Sequence, residues 1–312
     1  MSNCAIVFLL INEILQNQLS QQRAMSRSTK VIVVANQKGG VGKTTNSIHI
    51  AAGFAELGRK CLIIDLDASA GATKTLGAPL AGWNTVYELL TGEVEPADAI
   101  ISDTDPEVRL PKNIHLIPSS SKLNEIDSFL TSIDNLGVVP QDLLLEPIRQ
   151  VRGEYDYILL DSPPLVTRTT YPSYKTADYA VFTTQLEKLS TDALEAAMKL
   201  VASVKRHGNS RLVLLGVVIS MAPQPMTRLA RHYLNLIDQV VRDEQGRSLR
   251  FESRIPRNVA IQEAGSARQT LFEYAPDHKA VAQYRLLVKE IEARIQLIEE
   301  QVASEQGVVA NG

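Results

Sequence analysis

The sequence predicts an α/β fold in which a mostly parallel β-sheet is flanked by helices on both faces. Short apolar runs alternate along the chain with segments whose apolar residues recur at helical spacing. The runs are hydrophobic at nearly every position, which is typical of strands that helices bury on both sides. We predict six strands, at residues 31–35, 61–65, 114–117, 157–161, 179–183 and 212–220.

The length and composition are those of one globular unit. The chain has 312 residues, of which 45% are hydrophobic and 21% charged, and its formal net charge is −3. Chains of this size often form a single α/β domain, and no shift in composition marks a boundary. We therefore expect one domain over residues 30–303, an N-terminal extension over 1–29 and a flexible tail over 304–312.

The N-terminal extension contains an apolar segment, residues 5–11, followed by a run rich in Gln and Asn. The segment is too short to span a bilayer. A secretory signal would also need a basic start and a cleavage site, which the sequence lacks. We interpret residues 1–24 as a loosely attached extension or as a start assigned too early, since Met25 stands shortly before the first strand. A helix that binds a partner or touches a membrane is the alternative.

The chain contains two cysteines, Cys4 and Cys61. Cys61 begins a predicted strand, so we expect a buried thiol there. Two cysteines are too few for a disulfide framework or a cysteine-rich metal site, and this usage is typical of the cytoplasm.

A glycine-rich loop follows the first predicted strand and precedes a helical pattern over residues 47–57. Its glycines allow the backbone N–H groups to turn inward around phosphate oxygens. Lys43 can then reach the β- and γ-phosphates, and the hydroxyl of Thr44 can bind Mg²⁺. The loop therefore predicts a nucleoside triphosphate site at a helix N-terminus. The residues assigned to this site are Lys38, Gly39, Gly40, Val41, Gly42, Lys43, Thr44 and Thr45.

The loop departs from the common pattern G-x-x-x-x-G-K-[ST], because Gln37 stands where the first glycine would be. K-G-G-V-G-K-T-T instead resembles the deviant Walker A motif of the ParA/MinD group of ATPases. The resemblance implies a single P-loop NTPase domain, with ATP and Mg²⁺ as cofactors. It also implies that Lys38 is the signature lysine, which crosses a dimer interface to the nucleotide of the other subunit. The iron–sulfur relatives in this group need further paired cysteines, and the cysteine count is evidence against them.

Two acidic residues end the second predicted strand, in Asp65-Leu-Asp67. Period-two alternation places both carboxylates on one side, so Asp67 is expected to project from the sheet edge toward the phosphates. By resemblance, Asp67 is the switch I aspartate that positions the attacking water. An aspartate that only caps a turn or a helix is the alternative. The family commonly continues P-Q-G-N, whereas this chain has Ala68-Ser-Ala-Gly71, so we expect a more flexible loop that orders water less well.

Asp161 ends a third apolar strand and is followed by Ser-Pro-Pro. The segment Tyr155-Asp-Tyr-Ile-Leu-Leu-Asp161 resembles the family's Walker B strand. This resemblance implies that Asp161 holds Mg²⁺ through a water molecule.

A late segment, Arg254-Ile-Pro-Arg-Asn258, resembles the family's I-P-R-N motif, and Tyr274-Ala-Pro276 resembles its Y-x-P motif. In the family this loop passes beside the adenine, so Pro256 and Asn258 are candidate contacts to the base. An ordinary surface loop is the alternative.

The matches extend over about residues 30–290 and identify ParA/Soj-type partitioning ATPases as the family that the chain resembles. The implied function is a homodimer with ATP that binds DNA non-specifically and hydrolyses ATP slowly. Lys43 and Mg²⁺ would stabilise charge on the phosphates, Lys38 would add charge from the partner subunit, and Asp67 would align water. A ParB-like or other cargo adaptor would stimulate hydrolysis, so that a nucleoid-associated protein segregates a chromosome, plasmid or other cargo.

Two alternatives remain open. One is a nucleotide-gated binding switch with negligible hydrolysis, and the other is a MinD-like ATPase that positions itself on a membrane. The last predicted helix, over 277–303, carries one apolar stripe, as core helices do. The residues after it form no basic amphipathic anchor, so membrane contact is not expected.

Residues 226–257 contain seven arginines against four acidic residues. Such a patch can bind phosphates without reading sequence, and dimerisation would double it. An ordinary solvated face is the alternative, and the family resemblance favours DNA. Without a helix-turn-helix signature, no sequence-specific reading is expected. The candidate phosphate contacts are Arg228, Arg231, Arg257 and Arg268.

Overall fold

The structure is a computed structural model, and it describes residues 29–132, 142–164, 170–188, 190–243 and 245–309. The interpretations of residues 1–28, including Cys4, lie outside the described residues. Cys61 is fully buried at the start of the second strand, as predicted.

A parallel sheet forms the centre of the molecule, and within the described residues it has seven strands in the order β3-β2-β4-β1-β5-β6-β7. The predicted fold class is confirmed. The six predicted strands agree with observed strands to within two residues at each end. The strands are β1 (Lys30–Ala35), β2 (Cys61–Asp65), β3 (Ile114–Ile117), β4 (Tyr157–Asp161), β5 (Tyr179–Thr184), β6 (Val213–Ala222) and β7 (Arg250–Pro256).

Helices connect the strands and cover both faces of the sheet, so the parallel strands are buried as expected. The described helices are α1 (Lys43–Glu56), α2 (Gly71–Thr75), α3 (Val86–Thr91), α4 (Pro96–Ala99), α5 (Ile126–Ser132), α6 (Leu145–Val151), α7 (Thr170–Thr176), α8 (Ser190–His207), α9 (Arg228–Val240), α10 (Val259–Ser266), α11 (Leu271–Tyr274) and α12 (Lys279–Val309). Among the described residues, no helix is both long and apolar enough to cross a membrane.

Alternate residues of β1 belong to two separate hydrophobic layers. Ile32 and Val34 pack in the layer that contains α1 and α12, whereas Val31 and Val33 pack in the layer on the opposite face. Every one of these side chains is fully buried. The alternation fixes the register of β1, because a shift by one residue would exchange the two layers.

The seventh strand, β7, was missed by the sequence analysis, which treated its second half as a loop. It pairs with β6 and, within the described residues, forms an edge of the sheet. Phe251, Ser253 and Ile255 are buried, while Glu252 between them is exposed. This period-two alternation is the signal of a half-buried strand. It was overlooked because the other strands are hydrophobic at nearly every position.

Helix α12 packs its predicted apolar stripe into the core. The fully or almost fully buried residues of this stripe are Val281, Tyr284, Leu287, Val288, Ile291 and Ile295, and Ile298 is partly buried. The helix continues to Val309, so residues 304–309, which the sequence analysis assigned to a flexible tail, are helical.

Candidate nucleotide site

The glycine-rich loop joins the carboxyl end of β1 to the N-terminus of α1. Gly42 precedes the helix in a left-handed conformation, with φ of 95°. Its α-carbon faces Ser220, where an added β-carbon would lie 3.5 Å from the hydroxyl oxygen. In the described part of the chain, no side chain caps the start of α1. The first N–H groups of the helix therefore face the loop, which is the arrangement that binds phosphate.

The two lysines of the loop point to different partners. Lys43 is nearly buried, and its ammonium donates to the backbone oxygen of Lys38 at 3.3 Å. Burial lowers the pKa of Lys43, against the opposing attraction of Asp161 and Asp67. Lys38 is more exposed and forms an ion pair with Glu187, which follows β5. Lys43 therefore lies within the loop of its own chain, while Lys38 lies at the surface.

Two carboxylates end neighbouring strands beside the loop. Asp161 of β4 and Asp65 of β2 occupy paired positions, and neither side chain is exposed. Asp65 accepts hydrogen bonds from the backbone N–H and the hydroxyl of Thr73, at 2.9 and 2.8 Å. Burial raises the pKa of Asp65 to about 6. Burial and the charge of Asp65 raise the pKa of Asp161 to about 7, against the hydroxyls of Thr44 and Ser47 and the charge of Lys43.

Among the described residues, one carboxylate oxygen of Asp161 has a hydrogen-bond donor and the other has none. The hydroxyl of Ser47 donates to Oδ1 at 2.8 Å. Oδ2 is buried, and among the described residues no group donates a hydrogen bond to it. A buried carboxylate oxygen without a donor is costly unless a cation or an ordered water approaches it. Together with the hydroxyl of Thr44, which lies close to Asp161, this oxygen fits a Mg²⁺ ion with its water ligands.

Asp67 lies just beyond β2 and is partly exposed. Its Oδ1 accepts a hydrogen bond from the backbone N–H of Ser69 at 2.8 Å. One oxygen of the Asp67 carboxylate therefore caps a turn, as in the alternative interpretation. Within the described residues no hydrogen bond to the other oxygen is found, so it can still orient a water molecule.

The segment 68–71 is braced by its own contacts. Ala70 adopts a left-handed conformation with φ of 54°, and the ammonium of Lys74 donates to the carbonyl of Ser69 at 2.6 Å. Gly71 lies against Thr44, where an added β-carbon would be 3.3 Å from the threonine hydroxyl. The segment therefore reaches the end of the loop where Thr44 lies, but it brings no amide side chain there.

A cavity of about 500 Å³ adjoins the first turn of α1. Its lining includes Gly42 and Thr45 together with Pro256 and Asn258, the two predicted base contacts. Asn258 caps α10, since its Oδ1 accepts from the N–H of Ala260 at 2.8 Å. Pro256 is the last residue of β7. The structure therefore brings residues 254–258 close to the glycine-rich loop. The side-chain oxygen of Asn258 already accepts the hydrogen bond that caps α10.

The sequence analysis missed three polar residues of this region. Asn46 of α1 donates to the hydroxyl of Ser220 at 2.8 Å and accepts from the hydroxyl of Tyr284 at 2.9 Å. Gln185, just after β5, donates to the carbonyl of Gly40 at 2.8 Å. The carboxyl ends of parallel strands gather functional groups, so the positions of Gln185 and Ser220 were an available signal.

The candidate DNA contacts are all exposed. Arg228 and Arg231 lie one turn apart on α9, and Arg257 follows β7, where its N–H donates to Ala222 of β6. Arg268 is separate, in the turn after α10 beside Gly77. Acidic partners neutralise two other arginines of this region, because Arg247 pairs with Asp243 and Arg250 with Asp238.

Comparisons with known proteins agree with this architecture. A family model described as an AAA domain matches residues 29–214. The chromosome-partitioning ATPase Soj of Thermus thermophilus is 33% identical over 265 residues, which cover 85% of this chain and 96% of that protein. The sporulation initiation inhibitor protein Soj of Bacillus subtilis is 29% identical over 266 residues, which cover 85% of this chain and 98% of that protein.

Among solved structures, apo McdA of Cyanothece matches with a TM-score of 0.72 and 23% identity, over 84% of this chain and 99% of that one. This similarity shows a shared fold. The family match, the full-length Soj relatives and the loop between β1 and α1 lead to one conclusion: the chain belongs to the ParA/Soj-type ATPases of the ParA/MinD group.

Proposed function

We propose that this ATPase binds DNA non-specifically as an ATP-bound homodimer and is released when it hydrolyses ATP. In this way it would segregate a chromosome, a plasmid or another cargo. One observation carries the proposal: Lys43, Thr44, Asp67 and Asp161 lie around the N-terminus of α1, and Lys38 is at the surface beside them.

Phosphoryl transfer depends mainly on positioning and on charge compensation. The loop N–H groups and Lys43 would hold the phosphates of ATP. Thr44 and, through water, Asp161 would hold Mg²⁺, which neutralises charge on the phosphates when it is bound. The free oxygen of Asp67 would orient the attacking water, and Pro256 would form part of the wall beside the base.

Lys38 supports a dimeric site. The ammonium of Lys43 already reaches into the loop of its own chain, whereas that of Lys38 is directed out of it to Glu187. A partly exposed lysine on such a loop can reach the phosphates of a second subunit. Two chains that face each other across their loops would thus complete each other's sites.

Exposed arginines support the DNA interaction. Among the described residues, Arg228, Arg231 and Arg257 form no ion pair, and all three lie near the carboxyl end of β6. Unpaired guanidinium groups are suited to phosphate oxygens. A dimer presents each of them twice, which would make DNA binding dependent on ATP and sensitive to salt. A ParB-like or other cargo adaptor would then trigger hydrolysis.

The test is retention of the chain on random-sequence DNA with Mg²⁺ and ATP, ADP or no nucleotide. The proposal requires retention with ATP alone, and loss of this retention as salt rises. Equal retention under the three conditions would contradict it.

A second candidate, a nucleotide-gated switch with negligible turnover, is favoured by the absence of amide side chains in segment 68–71. Phosphate release in the presence of DNA and the cognate partner separates the two functions. Turnover that disappears in Asp67→Ala would exclude the switch.

A further inference from the structure

The loop that follows β5 contacts the phosphate loop at two points. The side-chain amide of Gln185 donates to the carbonyl of Gly40 at 2.8 Å. Two residues later, the carboxylate of Glu187 forms an ion pair with the ammonium of Lys38. The lysine that the proposed function assigns to a partner subunit is therefore bound within its own chain.

The loop presents Glu187 in a defined position. The N–H of Glu187 donates to the carbonyl of Gln185 at 3.1 Å, and the N–H of Ser190 donates to the carbonyl of Glu187 at 3.1 Å. The hydroxyl of Ser190 also donates to the carbonyl of Gln185. These bonds close a turn at the start of α8. Because these hydrogen bonds already order the turn, forming the ion pair costs less conformational entropy than it would in a mobile loop.

We propose that Glu187 restrains Lys38 in the monomer, so that dimerisation requires Lys38 to exchange this carboxylate for the phosphates bound by the partner. The inference rests on the proposed function. Glu187 is here a positioning residue that opposes the dimer, and its removal should make the dimer tighter.

The strength of the restraint follows from its exposure. The Lys38 and Glu187 side chains are 33% and 40% exposed, so water screens the ion pair in part. The phosphate chain of ATP carries more negative charge than one carboxylate and can displace it. ADP offers Lys38 less negative charge, while the ion pair to be broken is the same. The restraint would therefore keep an ADP dimer from forming at protein concentrations where the ATP dimer still forms.

Sedimentation of the full chain with Mg²⁺ and saturating AMP-PNP measures the effect. Glu187→Gln keeps the shape of the side chain and removes its charge. The wild type must break two partly screened ion pairs to dimerise, one in each chain, whereas this variant has none to break. We therefore expect its dimer dissociation constant to be about 2- to 30-fold lower than that of the wild type. Glu195→Gln is the matched control, since Glu195 is exposed on α8 and forms no ion pair in the described part of the chain. Glu187→Asp, which retains the charge, should lie closer to the wild type.

The rate of reductive methylation of Lys38 in the nucleotide-free chain provides an independent readout. It should rise in Glu187→Gln and stay unchanged in Glu195→Gln, because only the first variant releases the ammonium. A wild type that dimerises while Glu187→Gln dimerises no more tightly would overturn this inference alone. A wild type that stays monomeric with AMP-PNP would overturn the proposed function, and this inference with it.

Discussion

Asp65 and Asp161 lie side by side at paired positions of β2 and β4, and both side chains are fully buried. Two adjacent carboxylates in a region of low dielectric disfavour each other's ionisation. Thr73 stabilises the charge of Asp65, whereas Asp161 retains an oxygen without a donor among the described residues. The pair is therefore destabilising to the fold until a proton or a cation approaches it.

The first prediction concerns Asp161→Asn. The pKa of Asp161 is raised from 3.8 to about 7 in the folded chain. A raised pKa of an acid means that the folded state binds more protons, so its contribution to stability falls as pH rises from about 4 to 7. Without nucleotide, the variant should be more stable than the wild type at pH 8, by on the order of 1 kcal/mol or more.

Thermal unfolding at pH 8 and pH 5 measures this difference, which should shrink at pH 5 because Asp161 is then protonated. The variant should also lose Mg²⁺-dependent hydrolysis. A variant that is less stable than the wild type at pH 8 would contradict this interpretation of the pair.

The second prediction concerns Lys43→Ala. The ammonium of Lys43 is nearly buried and donates to the carbonyl of Lys38 in the loop. In the proposed function it donates charge-assisted hydrogen bonds to phosphate. Its loss should weaken nucleotide binding by about 10- to 100-fold. Titration with a fluorescent ATP analogue gives the affinity, and Lys74→Ala is the control, since the exposed ammonium of Lys74 donates to the carbonyl of Ser69. Equal affinities of Lys43→Ala and wild type would exclude Lys43 from the phosphate site.

The third prediction concerns His49, a buried residue of α1. Its Nδ1–H donates to the carbonyl of Thr45 at 2.7 Å, and its Nε2 accepts from the N–H of Leu271 at 3.1 Å. Burial lowers the pKa of His49 from 6.5 to about 4. The unfolded chain therefore binds the proton first, so stability falls as pH drops from about 6.5 to 4.

His49→Gln should lower stability at pH 8 by removing these contacts. It should also abolish about 2 kcal/mol of the loss between pH 8 and pH 5, because the pKa of His49 lies at about 4 in the folded chain against 6.5 in the unfolded chain. Urea unfolding of both proteins at pH 8 and pH 5 tests this. Parallel losses in the two proteins would mean that His49 is not the titrating group.

The fourth prediction separates the two oxygens of Asp67. Asp67→Asn can still accept from the N–H of Ser69 but lacks the negative charge, whereas Asp67→Ala loses both. Both variants should bind ATP and hydrolyse it at least about tenfold more slowly. Only the alanine variant should lose the bond to Ser69, which Ser69 amide exchange reports. Normal turnover in Asp67→Asn would mean that Asp67 only caps the turn and takes no part in hydrolysis.

The fifth prediction concerns the exposed arginines of α9. Replacing Arg228 and Arg231 together by glutamine should weaken ATP-dependent DNA binding. It should also reduce the slope of log affinity against log salt by about 2 per chain. Arg247→Gln is the control, because Arg247 is paired with Asp243. An equal effect of the control would indicate general charge rather than a specific surface.

The parts of the site that could be predicted are those with local signals. Short sequence motifs predict the turn into α1 and the acidic residues Asp67 and Asp161 at the ends of β2 and β4, and the structure places them together. Glu187 could not be paired with Lys38 in advance, because 149 residues separate them and only the order of the strands brings them into contact. Asn46 was missed for the same reason, since its partners Ser220 and Tyr284 lie on β6 and α12.

The segment 68–71 shows a second limit of sequence reasoning. The absence of proline and amide side chains predicted a more flexible loop. The observed contacts of Ser69 with Asp67 and Lys74 involve backbone groups, which any residue supplies and no sequence motif reveals. Flexibility of this loop therefore stays a prediction.

In the proposed function, ATP joins two chains through Lys38. Sedimentation of the full chain with Mg²⁺ and AMP-PNP, ADP or no nucleotide tests it most directly, together with Lys38→Ala under the same conditions. We expect a dimer with AMP-PNP alone, and a Lys38→Ala variant that binds the nucleotide but remains monomeric. The same mass under all three conditions, or a dimer that persists in Lys38→Ala, would contradict it.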